Sequence, residues 1–585
     1  MKTTTMILAL GVLVVAGAAT AATTTQLSRF GITWTFESPV EYGQFANGDP
    51  WVVGPVRIVA INPPSTNVGG RTKHGSMINP SNTGMTQGYD SAMYAQYGPA
   101  YSASLNVALG VSAANPLTVP AGSSLISAIS LDEAGLRPQL KTAAILTVLD
   151  APAPAGSFRP PYFGGNKTIR YTIDQLDTSH LPRLAPVGGT PNLATVAGNF
   201  ERPWLEHVLS WTGRYCHPAD NMPDYGEAMA LQLGDGLLSL CLDYTDAEKE
   251  TLLVRLVQYG IDNYTIAAGG GVWEDLGGHM HGRKLPILLA GLVLGDADML
   301  AIGSTMPLRF QEDRQTWIVT QDDVGRPLYH ADGRPREEYI QADVGIPEWG
   351  EQHTKQPERD GRNWDAYYRT IVGRSILGHV LAANILDLRD AWQWEPLFLY
   401  IDRYWTIESP RTSGTHLIPT FHKNMWNAYR DTVHVPVHAE AGPDQVVDDT
   451  DGDGVEMVTL DGTGSSSPND PITGYVWRMG ETLLGTSAVQ MTVLPVGVHT
   501  ISLAVTDANG SSATDTVTIT VRQVARTPGD ADTDGDVDLD DFAVLKQHFG
   551  TTTGATWAMG DFDDDGDVDL DDFAALKLNF GATGR

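Results

Sequence analysis

The sequence predicts a multidomain α and β protein: an N-terminal β-sandwich, a domain of stacked helices, a second strand-rich module and a short duplicated tail. Three observations carry that expectation. The spacing of apolar residues changes from two to three and four near Phe200, and returns to two near Ala439. Stretches rich in Pro, Gly and Ala at 151–161 and around Pro528 break the chain. From Gly529 the sequence repeats itself at an offset of 31 residues. At roughly 150 residues per domain, such a chain has room for three to five domains.

The chain opens with Lys2, an apolar run from Met6 to Ala16, and Ala19-Thr20-Ala21. That is the pattern of a signal peptide over residues 1–22. Its 11 apolar residues are too few to span a bilayer. The expectation is an exported chain with no transmembrane segment after signal removal.

Residues 23–150 read as a β-sandwich. Ile32, Trp34 and Phe36 alternate with polar residues, and Val56–Ile61, Ser124–Leu131 and Thr142–Leu149 are short runs bounded by turn residues. Residues 151–199 read as a linker and connecting segment. Residues 200–438 read as helices. Thr245 and Glu248 form a capping box, followed by Leu252, Leu253, Leu256, Val257, Gly260 and Ile261 on one face. Further helices are expected over 227–242, 285–294, 365–388 and 389–404. The 285–294 helix is apolar all round and ends at Gly295, so it should be buried, with Pro286 at its first position. Residues 439–522 return to strands, and 523–528 are a linker.

The formal charge is −32. A nucleic-acid binder, which neutralises phosphates with Lys and Arg, is excluded. Residues 439–585 carry 27 acidic against 6 basic side chains, so the acid is concentrated in the tail. Cys216 and Cys241 are the sole cysteines, too few for a disulfide framework or a four-Cys zinc site. One disulfide and two buried thiols both remain open.

Each acidic repeat is a twelve-residue calcium loop. In the first, Asp530, Asp532 and Asp534 stand at positions 1, 3 and 5. Gly535 supplies the turn at 6, Asp536 offers a backbone carbonyl at 7, and Asp538 and Asp541 stand at 9 and 12. The second places Asp561, Asp563, Asp565, Gly566, Asp567, Asp569 and Asp572 in the same positions. So many like charges repel without a cation, and a hard divalent ion reverses that balance. Two Ca2+ sites are expected. A helix follows each loop, but no helix precedes either. This pattern over Gly529–Gly581 resembles dockerin domains, and residues 529–585 are expected to form one. The resemblance implies a cohesin-like or cell-surface partner. Positions 10 and 11, which read the partner in that family, are Leu539-Asp540 and Leu570-Asp571 here, not the usual Ser-Thr.

The segments Ala439–Gln445, Val458–Ser466, Tyr475–Trp477 and His499–Asp507 resemble a PKD-type module over 439–522. The resemblance implies an immunoglobulin-like sandwich acting as a spacer. Leu503, Val505, Val517, Ile519 and Val521 alternate, and Trp477 is a core aromatic. Asp449–Gly454 reads as a solvated turn.

Reactive side chains cluster in three places. The first is Gly269–Pro286, which holds Trp273, Glu274, Asp275, His279, His281, Arg283 and Lys284. His281, Arg283 and Lys284 crowd the positive end of a buried helix, where cations need an anion beside them. An anionic substrate would supply it; alternatively Glu274 and Asp275 fold back. His279 and His281, two apart, could also ligate Zn2+, although no third ligand is identifiable. The second cluster is Glu348, Glu351 and His353 with Trp364, Tyr367, Tyr368 and Arg369. The third runs from Tyr215-Cys-His217 to Tyr225-Gly-Glu227. Asn47–Trp51 reads as a turn.

Helices joined to a β-sandwich on an exported chain resemble the (α/α)-toroid polysaccharide lyases and related toroid glycoside hydrolases. The resemblance is architectural, covers about Phe30 to Arg430, and transfers no catalytic position. It implies a secreted enzyme acting on an acidic polysaccharide by β-elimination. His279 or His281 would be the base, Arg283 the carboxylate clamp and Tyr367 or Tyr225 the acid. Trp273, Lys284, Glu348, Glu351, His353 and Trp364 would bind substrate. The alternatives are a hydrolase, with a carboxylate pair drawn from Glu274, Asp275, Glu348 and Glu351, and a non-catalytic carbohydrate-binding surface protein.

The mature protein is expected to begin at Ala22 or Thr23. N-terminal sequencing of secreted material checks this, and a start at Met1 refutes it.

Overall fold

Eight strands shape the N-terminal part: β1 (Thr23–Arg29), β2 (Ile32–Gln44), β3 (Pro50–Val53), β4 (Val56–Asn62), β5 (Ser76–Ile78), β6 (Leu117–Val119), β7 (Ser123–Ser130) and β8 (Leu140–Leu149). They come from a computed structural model that describes residues 22–583 except 82–83, 94–96, 224, 276, 330–332, 351–358, 360–367, 433–436, 450–452, 468–470, 509 and 524–525. The signal-peptide stretch, Glu351, His353, Trp364 and Tyr367 lie outside the described residues. The chain divides into two compact units, Met1–His434 and Val435–Arg585. No helix among the described residues is long and apolar enough to cross a membrane.

The strand order is β6-β4-β2-β3-β8-β7-β5, with β1 also on β2. Besides β1, strand β2 serves two neighbours: Thr33–Phe36 pair with β4, and Tyr42–Gln44 pair with β3. The two halves share one core, in which Trp34 and Ile58 meet Leu125, Leu146 and Val148. The expected alternation is present, with Ile32, Trp34 and Phe36 all buried. Strand β8 is buried on both faces. Ala144, Leu146 and Val148 join the sandwich core, while Leu140, Ala143 and Ile145 join the helical core. Two covered faces explain why Thr142–Leu149 is a nearly continuous apolar run.

The 151–199 segment departs from the linker read from its composition. Phe158, Tyr162, Phe163 and Leu181 are buried in the helical core. Arg159 donates to Asp49 at 2.8 Å and to Asp262 at 2.5 Å. Proline and glycine fix the path of this stretch, but its aromatics and Arg159 fasten the sheet to the helices. The Asn47–Trp51 turn is there as expected, and its Asp49 anchors that fastening.

The longer helices of the first unit are α1 (Gly226–Leu240), α2 (Asp246–Ala268), α3 (Lys284–Leu294), α4 (Tyr368–Ile385), α5 (Glu395–Glu408) and α6 (Thr420–Tyr429). Helix α2 starts at the expected capping box: Thr245 Oγ1 accepts from Glu248 N, and Thr245 N donates to Glu248 Oε2. Helix α3 is buried and ends at Gly295, which has φ of 65°. It begins at Lys284, so Pro286 is its third residue and not its first. The missing N–H is harmless there, because the first turn has no intrahelical acceptors. The helix expected over 389–404 is interrupted at Gln393, whose φ of 58° ends Arg389–Trp392 before α5 begins. Helices α2 and α3 pack as sequential neighbours, whereas α1 packs on α4 from much later in the chain.

Two facing sheets make up the strand-rich part of the second unit. Gln445–Asp449, Ser512–Gln523, Gly497–Asp507, Ile472–Met479 and Thr482–Gly485 pair in that order, and Val455–Asp461 pairs with Val489–Pro495. Trp477, Leu503, Val505, Val517, Ile519 and Val521 form the core, as their alternation predicts. Asp449, read as part of a solvated turn, is instead buried and accepts from Gly454 N at 3.1 Å.

In the tail, each acidic loop leads into one helix, α7 (Leu539–His548) or α8 (Leu570–Asn579). The repeats bind each other reciprocally. Val537 bonds to Gly581 and Ala582, while Val568 bonds to the equivalent Gly550 and Thr551. Gly529 abuts Leu576, and its counterpart Gly560 abuts Leu545.

Replacing Arg159 by Ala leaves the buried Asp262 carboxylate without its cation and Asp49 with Arg29 at 3.8 Å. The expected cost is about 3–5 kcal/mol, read as a lower midpoint in urea unfolding. A midpoint within error of the parent would refute the fastening role.

Candidate functional site

The cations at the start of α3 are neutralised inside the protein. Arg283 meets Glu206 at 2.9 Å, and Lys284 meets Asp313 at 2.5 Å. All four side chains are nearly inaccessible to solvent. Burial pushes the Glu206 carboxyl up, but Arg283, His217 and a hydrogen bond from Tyr259 outweigh it and leave it below its ordinary range. The partner is neither an anionic substrate nor the Glu274 and Asp275 carboxylates that the sequence suggested. Asp275 instead faces Arg314 at 3.1 Å. Arg283 is therefore not a substrate clamp, and Lys284 is not a substrate contact.

His281 is also buried, and its Nε2 donates to Gln315 Oε1 at 2.8 Å. Desolvation lowers its pKa to about 3. It stays neutral but has no access to a polymer, so it is not the base. Trp273 is buried against Phe310, with ring centroids 5.2 Å apart, and donates to Glu206. It holds the core and not a sugar. Glu348 is buried beside Arg369 at 3.2 Å, which withdraws it from the hydrolase candidates. Tyr215, Cys216 and His217 are buried, and the two cysteines are free thiols.

Two of the sequence candidates do come together. Tyr225, at the start of α1, packs edge-on to His279 with ring centroids 5.0 Å apart. Glycine makes this approach feasible. A Cβ on Gly226 would lie 1.8 Å from His279 O, and one on Gly278 would lie 2.9 Å from Ile371 Cγ2. Trp211 covers His279 at 5.3 Å, and Tyr97 packs on Trp211 at 5.8 Å. Behind them the Arg214 guanidinium lies 5.4 Å from the Trp211 ring, 4.5 Å from Tyr215 and 6.0 Å from Tyr225. The next residue but one, Glu227, pairs with Arg374 of α4. The result is a part-exposed aromatic lip around an imidazole and a phenol, with a cation beneath.

Sequence reasoning missed Glu206, Trp211, Arg214, Asp313 and Arg374. Glu206 carried a signal, being the lone charge in Trp204–Val208. Arg374 sits among apolar residues of α4 in the same way.

The acidic loops gather their carboxylates. Asp530, Asp532 and Asp541 converge within 4.8 Å, as do Asp536, Asp538 and Asp541. The second loop repeats both groups, Asp561, Asp563 and Asp572, and Asp567, Asp569 and Asp572. Asp530 Oδ1, Asp536 Oδ1 and Asp567 Oδ1 are buried without a hydrogen-bond partner. Burial and neighbouring carboxylates raise Asp536 and Asp567. An all-oxygen set with unsatisfied buried atoms fits a hard divalent cation. Two details differ from the sequence reading. Asp536 and Asp567 bring their carboxylates toward the groups, and Asp534 and Asp565 instead accept from the N–H of Asp536 and Asp567. Among the described residues, no group of three or more converging metal ligands includes His279 or His281.

The comparisons place one part of the chain. A family model for the PKD domain matches residues 441–521, so this segment is a PKD domain. No curated protein matches the chain. The solution structure of the PKD domain from KIAA 1837 protein is 25% identical, with a match covering 16% of this chain and 95% of that one at a TM-score of 0.14. A structure described as showing promiscuous specificity of carbohydrate-binding modules from the beta-sandwich super family is 26% identical, covering 16% and 36% at 0.13. A nucleoside hydrolase-related hypothetical protein from Saccharophagus degradans, described as associated with carbohydrate metabolism, is 17% identical, covering 29% and 36% at 0.14.

Four buried histidines are expected to make the first unit acid-labile. Desolvation lowers His207 and His281 to about 3, and His217 and His379 to about 4. Below the ordinary value of 6.5 the unfolded chain binds protons that the folded chain refuses, so stability falls as pH falls. Each histidine contributes about 1.4 kcal/mol per pH unit down to its folded pKa. Glu312, which burial raises to about 7, holds its proton in the fold and offsets one of the four. The melting temperature is expected to drop between pH 6.5 and 4.5. Tryptophan emission reads it, since 12 of 14 Trp precede residue 439. An unchanged melting temperature across that window would refute it.

Proposed function

We propose that the chain is an exported polysaccharide lyase that cleaves an acidic polysaccharide by β-elimination. The observation that carries this reading is the edge-on pair of Tyr225 and His279 beside Arg214, under the aromatic lip of Trp211 and Tyr97. Aromatic rings suit the apolar faces of sugars. His279 removes the proton on the carbon next to the uronate carboxyl. The resulting enolate-like dianion needs a nearby positive charge, and Arg214, buried beneath the lip and bonded to the Trp211 carbonyl and the Tyr215 hydroxyl, supplies it through its field and not by direct contact. The glycosidic C–O bond then breaks, the ring gains a C=C bond, and Tyr225 protonates the departing oxygen. Water takes no part in the bond cleavage.

On the same reading the tail binds two calcium ions, held by the Asp530–Asp541 and Asp561–Asp572 loops, and docks to a cohesin-like or cell-surface partner as dockerin domains do. The ions supply only charge neutralisation for the loops. The PKD domain acts as a spacer.

Incubation with uronate-containing and neutral polysaccharides tests the reaction. Absorbance near 235 nm is expected, where conjugated uronates absorb, and His279→Ala is expected to reduce turnover by about 100-fold or more. Tyr225→Phe should lower the rate while leaving the fold intact. New reducing ends without that absorbance mean a hydrolase, and retention without cleavage means a binding protein. Either result overturns the lyase.

Calcium titration of the full chain should give two equivalents in the tail. Asp541→Ala with Asp572→Ala, which removes the carboxylate common to both groups of each loop, should abolish them. Two equivalents in the double variant would reject the loop assignment.

A further inference from the structure

A cavity of about 300 Å³ lies where the 158–171 stretch covers the second half of α2. That volume is at the lower end of small-ligand pockets, roughly 300–1,000 Å³. It shares no residue with the Trp211, Tyr225 and His279 cluster.

Its lining combines two kinds of surface. Phe158, Ile261 and Met299 are buried and apolar. Tyr171 and Tyr264 add two part-buried rings, and the Tyr171 hydroxyl donates to Asp296, which fixes that ring in place. Burial raises the pKa of both phenols, so both remain neutral. Asn166 and Thr168 are exposed and put an amide and a hydroxyl at the edge.

The charges nearby cancel. Arg159 reaches the cavity, but its guanidinium is committed to Asp49, Asp262 and the Pro160 carbonyl. Arg170 and Asp298, both exposed, add one charge of each sign to the lining. With one exposed charge of each sign, the lining has no excess of cations for a carboxylate or sulfate. A pure hydrocarbon would leave the amide and hydroxyls unused. A neutral pyranose satisfies both surfaces, with C–H faces for the rings and hydroxyls for the edge.

We infer that this cavity is a second carbohydrate site, holding one neutral sugar ring apart from the proposed reaction centre. The inference stands on the cavity and does not need the lyase reading, because binding is measured without turnover.

Saturation-transfer NMR on the full chain tests it. The probes are the methyl glycosides of glucose, galactose, mannose and xylose, with glucuronate and inorganic sulfate as charged controls. At least one neutral glycoside is expected to bind. Tyr264→Ala should weaken it about tenfold, and Thr168→Trp, at an exposed position, should block it in a folded protein. His279→Ala should leave it unchanged. Absence of any neutral binder overturns the inference, as does equal binding of glucuronate. Binding that survives Thr168→Trp, or that is lost in His279→Ala, overturns it too.

Discussion

The salt bridge between Arg283 and Glu206 is the constraint around which the first unit is arranged. A cation at the N-terminus of a buried helix is unfavourable, and a buried carboxylate is equally so. Each is tenable because the other is there. Glu206 also accepts from Tyr259 at 3.0 Å and from Trp273 at 3.3 Å. Those bonds tie the 203–217 stretch, helix α2 and the glycine-rich 269–286 loop to one point. Trp211 and His279 lie on two of these segments, so the same pair that neutralises α3 brings the lip and the imidazole face to face. Against an apolar substitute a buried ion pair gives little net stability.

A second buried cation does the same work between the sheet and the helices. Arg159 is bonded to Asp49 from the β2–β3 turn and to Asp262 from α2. Strand β8 adds an apolar counterpart, with one face in each core. Sheet and helices are thus a single packed body, and the stretch between them is part of it.

The tail reaches its fold by duplication. Val537 closes against the end of the second repeat and Val568 against the end of the first. Each loop is short of partners by itself, and the exchange supplies them. Seven buried apolar residues form the core, little for a domain of this length. The carboxylate groups gathered at the loops add repulsion to that small core.

Periodicity and punctuation determined much of this protein from the sequence alone. The alternation at Ile32, Trp34 and Phe36, the Thr245–Glu248 capping box, the Gly295 helix end, the PKD-type strand pattern and the 31-residue repeat all arise from local rules, and local rules are written in neighbouring residues. The meeting of Tyr225 with His279 was within reach, since both lay in reactive clusters, but their pairing was not. The partners of Arg283, Lys284 and Arg159 were out of reach, because Glu206, Asp313, Asp49 and Asp262 lie far away in the chain. A sequence shows that a buried cation needs an anion, but not which one. The linker reading of 151–199 failed for the same reason: proline and glycine content reports backbone stiffness, whereas burial depends on what the aromatics meet. Only the tertiary structure decided which reactive side chains are spent on each other and which are left facing solvent.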